Sequence, residues 1–152
     1  IEQAIKDGIL IMDQERNEDD IFGGPGKISR CVLAKDSLIN FLAETANHAR
    51  SQNYKLTITA TCSDHHEKAT SGNTSRHAMG LAVDLTSSGE GWSKLMHWAF
   101  ENRQGLRINE MLYANTETVP DAASLNIDNS QPADGFVDPG HHRDHIHIAV
   151  ND

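Results

Sequence analysis

Two short stretches of this chain alternate strictly between apolar and polar positions, and each carries metal-binding residue types on its polar side. Over 81–86, Leu81, Val83 and Leu85 share one face of an extended segment, and Ala82, Asp84 and Thr86 the other. Over 145–150, Ile146, Ile148 and Val150 share one face, and His145 and His147 lie on the other. An extended segment with one greasy face must bury it, so both stretches are expected to be strands of a sheet with a core on one side. Asp84 then points away from that core, an odd place for a carboxylate unless it has work there.

Helical spacing surrounds these strands. Leu38, Phe41, Leu42, Thr45 and Ala49 recur at i, i+3, i+4, i+7 and i+11, which predicts a helix over 34–52 with Asp36 as N-cap and Asn53 as its stop. Trp92, Leu95, Met96, Ala99 and Phe100 predict a second helix over 91–102 with its aromatics in the core. Residues 55–61 and 108–113 read as further strands, 1–12 as a marginal helix, and 13–26 as an acidic loop ending in the Gly23-Gly24-Pro25-Gly26 turn. The polar run 63–75 reads as a loop. Residues 114–143 read as a long irregular connection, either functional or disordered. The expected fold is α+β: a small antiparallel sheet backed by helices 34–52 and 91–102, in one domain with 1–30 as an N-terminal extension and 31–152 as the core.

The chain has 152 residues and a net charge of −9, with 13 Lys plus Arg against 22 Asp plus Glu. No basic stripe is available to neutralise phosphates, so nucleic acid is not an expected partner. The longest apolar run, Ile9 to Met12, is far short of the roughly 20 residues that span a bilayer, and no membrane span is expected. Residue 1 is Ile rather than Met, which suggests an excised domain or a mature form. Cys31 and Cys62 show no CxxC spacing, which excludes a cysteine-based structural metal site; they form either one disulfide or two buried thiols. Cys62 reads as core or disulfide rather than as a nucleophile.

Seven of the nine histidines fall at His65 and His66, at His77, and at His141, His142, His145 and His147. His48 and His97 lie on the helices and read as surface or core-edge imidazoles, and His141 and His142 as exposed loop residues. His145 and His147, two apart on a strand, project from one face with Cα atoms roughly 6.5–6.8 Å apart, so one metal can sit near both rings. A loop imidazole at His77 and a strand carboxylate at Asp84 can converge there with an imidazole of the last strand. Two nitrogens and one oxygen leave a fourth tetrahedral position open, as in a catalytic rather than a structural zinc site. Spacing does not choose between His145 and His147.

Ser75-Arg76-His77-Ala78-Met79-Gly80-Leu81-Ala82-Val83-Asp84 resembles the SxHxxGxAxD motif, and Asp144-His145-Ile146-His147 the closing HxH motif, of a family of zinc peptidases. Its members include D-alanyl-D-alanine carboxypeptidases, VanX-like dipeptidases, phage L-alanyl-D-glutamate endolysins and the zinc domain of hedgehog proteins. The likeness covers about residues 30–150. It implies a zinc ion held by His77, Asp84 and His147, with His145 as a neighbour, Ser75 as a substrate-binding residue, and Asp144, three residues before the last ligand, as the catalytic base. In an ideal strand that offset puts Asp144 on the wrong face, so the assignment requires a bulge or pairing that starts after Asp144.

The resemblance further implies zinc-dependent hydrolysis of peptide bonds in peptidoglycan stem peptides, as a carboxypeptidase or an endopeptidase, by an extracytoplasmic, secreted or phage-derived protein. One departure stands out. The family's arginine after the first central strand has no counterpart in Ala60-Thr61-Cys62-Ser63-Asp64, which leaves Arg76, Lys68 and His66 as candidates to stabilise the oxyanion. The alternative is a hedgehog-like domain whose zinc serves stability or partner binding without turnover. A metal-dependent nuclease is a distant third reading, since the acidic chain has no phosphate-binding cluster.

Overall fold

The computed structural model describes residues 1–28, 30–62, 75–133, 135 and 140–152. Among these residues seven strands form one sheet: β1 (Leu10–Met12), β2 (Leu56–Ala60), β3 (Ala82–Thr86), β4 (Ile108–Leu112), β5 (Ile127–Asp128), β6 (Gln131–Pro132) and β7 (Ile146–Val150). Their spatial order is β1-β2-β3-β7-β4-β5-β6. Four α-helices accompany them: α1 (Glu2–Lys6), α2 (Glu15–Phe22), α3 (Asp36–Ser51) and α4 (Gly91–Glu101). The architecture is α+β, and none of these helices is long and apolar enough to cross a membrane.

One apolar cluster joins the helices to the sheet. Leu38, Phe41, Leu42, Ala46 and Ala49 of α3 and Leu95, Met96 and Ala99 of α4 pack with Ile58, Val83, Leu85, Ile146 and Ile148. Burying each of the larger side chains is worth roughly 1.5–3 kcal/mol before entropy is counted. Helix α3 starts one residue from the expected place, with Lys35 rather than Asp36 in the cap position. It stops where expected. Asn53 adopts φ +59°, and the Tyr54 and Asn53 amides donate to the Ala49 and Arg50 carbonyls at 3.0 and 3.4 Å, closing the last turn.

The sheet is mixed, not purely antiparallel. β1 runs parallel to β2, with Leu10 opposite Leu56 and Met12 opposite Ile58. The connection between them carries α2 and α3, which gives the chain the length a parallel pairing requires. The expected helix over 1–12 therefore breaks in two: Gly8 takes φ +71°, ends α1 and releases β1. The expected acidic loop is also partly helical, because Asn17, Asp20 and Ile21 of α2 turn inward. Segment 1–30, set apart in sequence as an extension, supplies the edge strand.

The described residues of the connection 114–143 hold more regular structure than its composition suggests. Asn129 and Ser130 both take positive φ, at +51° and +65°, and form the two-residue turn of the β5–β6 hairpin. Buried Asn126 holds the hairpin's approach: its amide donates to the Tyr113 and Ala122 carbonyls at 2.9 and 2.7 Å and its oxygen accepts from the Tyr113 N–H at 3.1 Å. A 3-10 turn at Ala122–Ser124 packs Ala122 inward.

His97 ties α4 to this connection. Its Nε2 lies 2.6 Å from Asp121 Oδ2, and its Nδ1 2.8 Å from the Ser93 carbonyl. Burial works against its protonation, but the Ser93 carbonyl and the Asp121 carboxylate outweigh it and raise its pKa. The stabilisation is therefore full below the ordinary imidazole range and fades as pH rises through the folded value. Asp121→Asn should lower stability in urea unfolding near pH 5.5, within the ~0.2–1 kcal/mol of exposed pairs, and have less effect near pH 9.

Cys31 and Cys62 form a disulfide that closes a span of 31 residues, and Ala78 packs on it. A loop of that length removes chain entropy worth about 3–4 kcal/mol at 25 °C. Replacing both cysteines by serine should lower the unfolding free energy by about that amount, and the parent should show no free thiol on titration in denaturant without reductant.

Candidate metal centre

The pairing of β3 with β7 sets Asp84 directly opposite His147, while Val83–Ile148 and Leu85–Ile146 pair on the core face. The third member comes from the turn leading into β3. The His77 amide donates to Ser75 Oγ at 3.3 Å, Gly80 to the His77 carbonyl at 3.1 Å, and Leu81 to the Arg76 carbonyl at 2.9 Å. Gly80 has φ +72°, and a Cβ there would stand 2.3 Å from the Leu33 carbonyl oxygen, so only glycine fits. Segment 31–35 pins this turn from outside through Val32 N–H to Ala78 O and Lys35 N–H to Gly80 O.

The three polar groups meet as a triangle. His77 Nε2 lies 3.1 Å from His147 Nδ1 and 3.3 Å from Asp84 Oδ1, and His147 Nδ1 lies 3.2 Å from the same oxygen. All three residues are close to or below a tenth exposed. These contacts cannot all be hydrogen bonds. An ionised Asp84 brings no proton and each neutral imidazole brings one, so at least one edge sets two donors or two acceptors face to face. A cation at the centre removes that conflict. Tetrahedral bonds of about 2.0–2.1 Å give ligand–ligand edges of about 3.3–3.4 Å, and the observed edges match within a few tenths of an ångström. His77, Asp84 and His147 could thus hold a metal ion, and among the described residues they are the group that can.

His145 and Asp144 stand at the rim. His145 Nε2 is 3.6 Å from Asp84 Oδ2, and its Nδ1 is 2.7 Å from Asp144 Oδ1. The Asp144 side chain is 91% exposed. Strand β7 begins at Ile146, so Asp144 lies ahead of the pairing and is not bound to the strand's alternation. Ser75 uses its hydroxyl to hold the turn. Of the three candidates to replace the family arginine, Arg76 contacts Glu110 and the Val150 carbonyl, while Lys68 and His66, like His65, lie outside the described residues.

Three further features were not read from the sequence. His142, expected to be exposed, is half-buried, with its ring centroid 5.3 Å from that of His145 and 5.7 Å from that of His147. Glu110 approaches His147 Nε2 at 3.8 Å; a lone carboxylate amid Ile108, Met111 and Leu112 was the signal for it. Behind the site, buried Asp20 and Thr61 pair and line a narrow crevice with His77 and Gly80.

Compared with family models, with curated proteins and with solved structures, the chain matches none. The metal-holding geometry stands on its own residues. A divalent transition-metal ion at a hundred times its Kd should raise the unfolding free energy by about 2.7 kcal/mol. That increment should vanish in Asp84→Ala and His147→Ala, measured by denaturant unfolding with and without chelator.

Proposed function

We propose that this chain is a zinc-dependent peptidase of the D-alanyl-D-alanine carboxypeptidase and endolysin type, acting on peptidoglycan stem peptides. The observation that carries the reading is the His77–Asp84–His147 triangle, whose edges and donor set of two nitrogens and one carboxylate oxygen suit zinc with an open position. Zinc bound there would supply Lewis acidity toward water and the scissile carbonyl near neutral pH. The choice of substrate rests on the two motifs, Ser75 to Asp84 and Asp144 to His147. The Cys31–Cys62 disulfide supports an oxidising, extracytoplasmic setting.

The proton is handled by the Asp144–His145 pair. With Asp144 ionised, the 2.7 Å contact assigns the Nδ1 proton to His145 and leaves its Nε2, on the Asp84 side, as an acceptor. Asp144 is the base in this reading, taking the water's proton on its own carboxylate, and His145 is the neighbour whose contact holds that carboxylate at the rim. Asp84 is the third ligand in this reading, facing His147 from the paired strand and His77 from the strand that the His77 turn enters.

One observation favours the hedgehog-like alternative, a zinc domain without turnover: the Asp144 carboxylate is exposed and engaged by His145 rather than held inside the triangle. Product analysis of purified peptidoglycan incubated with zinc-loaded protein separates the two readings and names the bond. Asp144→Asn should keep zinc and fold while kcat falls about 10²–10⁴-fold, and Asp84→Asn should lose the zinc as well. Near-parental turnover by zinc-replete Asp144→Asn, with loss in His145→Ala, would move the base to His145. Intact peptidoglycan after incubation with the zinc-loaded parent would leave the non-catalytic reading.

A further inference from the structure

His147 turns Nδ1 toward His77 and Asp84, at 3.1 and 3.2 Å, so its Nε2 faces away from the triangle. There it meets Glu110, whose Oε2 lies 3.8 Å away. The other oxygen of Glu110 lies 3.3 Å from Arg76 Nε, and Arg76 also donates to the Val150 carbonyl at 3.2 Å. Arg76 is the chain neighbour of His77. One carboxylate therefore touches the ring of one ligand and, through a single ion pair, the residue next to another. The pair joins the turn before β3 to β4, beside the end of β7, with side chains only 31% and 25% exposed for Arg76 and Glu110. Partly burying two charges in a sheet carries a desolvation cost, which makes a bare structural role a weak reason for the pair.

We propose that Glu110 is a positioning residue of the metal centre, acting from outside the ligand set. A neutral imidazole that ligates through Nδ1 must carry its proton on Nε2, and an anion behind Nε2 favours that tautomer and makes Nδ1 a better donor. At 3.8 Å the contact is electrostatic rather than a hydrogen bond, so it acts on ring orientation and basicity. Through Arg76 the same carboxylate fastens the His77 turn to β4 and to the end of β7. The inference rests on the metal reading of the triangle.

The test compares zinc affinity, by competition with a chromophoric chelator, against the melting of the metal-free protein. Glu110→Gln should raise the zinc Kd about 10–100-fold while the metal-free melting temperature stays near the parent's. Arg76→Gln should weaken zinc in the same direction, and the double variant should lose little beyond the worse single, because both act through one pair. In the zinc-loaded parent, ¹⁵N NMR should place the His147 proton on Nε2. Parental zinc affinity in Glu110→Gln overturns the proposal, as does strict additivity in the double variant or a drop in metal-free stability that accounts for the affinity loss. Should Glu110→Gln fail to fold, the Arg76→Gln affinity and the parent's His147 tautomer decide in its place, and an unprotonated Nε2 overturns the proposal. A parent that takes up no zinc overturns the metal reading itself, an outcome distinct from a zinc-binding parent with indifferent variants.

Discussion

The register between β3 and β7 is the constraint on which the rest of the site depends. Asp84 stands opposite His147 because Val83 stands opposite Ile148 and Leu85 opposite Ile146. The core face sets the alignment and the polar face inherits it. A slip of one residue would carry the apolar set to the wrong side of the sheet and break the Asp84–His147 pairing in the same movement. Both strands are buried on both faces, so the polar side is an interior surface and not a solvated one. Their alternation therefore marks a change of chemistry between two covered faces, and what it leaves inside must find polar partners.

The third member of the triangle, His77, needs a different device, since a turn has no register to hold it. Gly80, in a conformation and a space closed to other residues, lets the 75–81 turn lie against Leu33. The disulfide and the contacts of Val32 and Lys35 then hold that neighbouring segment against the turn. Segment 31–35 thus braces the His77 turn from one side, and the Arg76–Glu110 pair braces it from the other. A side chain carried on a turn is held to a few tenths of an ångström only when its supports are this rigid.

What could be read from the sequence was local. The strands around Asp84 and His147 followed from period-two alternation, and α3 and α4 from helical spacing. The grouping of His77, Asp84 and His147 came from the resemblance of two motifs, since spacing left His145 and His147 open, and the structure brings the three together as a group that could hold a metal ion. Pairings between distant segments left no such trace. A three-residue strand like β1 is too short for a period, and its parallel partner lies more than forty residues away. The β5–β6 hairpin turns on Asn129 and Ser130, a pair less telling than Asn-Gly. Glu110 went unread in β4, because its partners, Arg76 and His147, are contributed by other parts of the chain.

The triangle also sets stability against the capacity to hold a cation. Two imidazoles and a carboxylate within 3.1–3.3 Å of one another, close to or below a tenth exposed, cannot satisfy all their contacts by hydrogen bonding. Held in this geometry without a cation, the triangle would carry the conflict against the stability supplied by the apolar pairs on the reverse of the same strands and by the loop closed by the disulfide. The arrangement is costly to keep and ready to receive a cation. An apolar substitution at Asp84 or His147 that packed well would relieve the conflict and abolish the donor set together, so on this scaffold the donor set and the most relaxed interior are mutually exclusive.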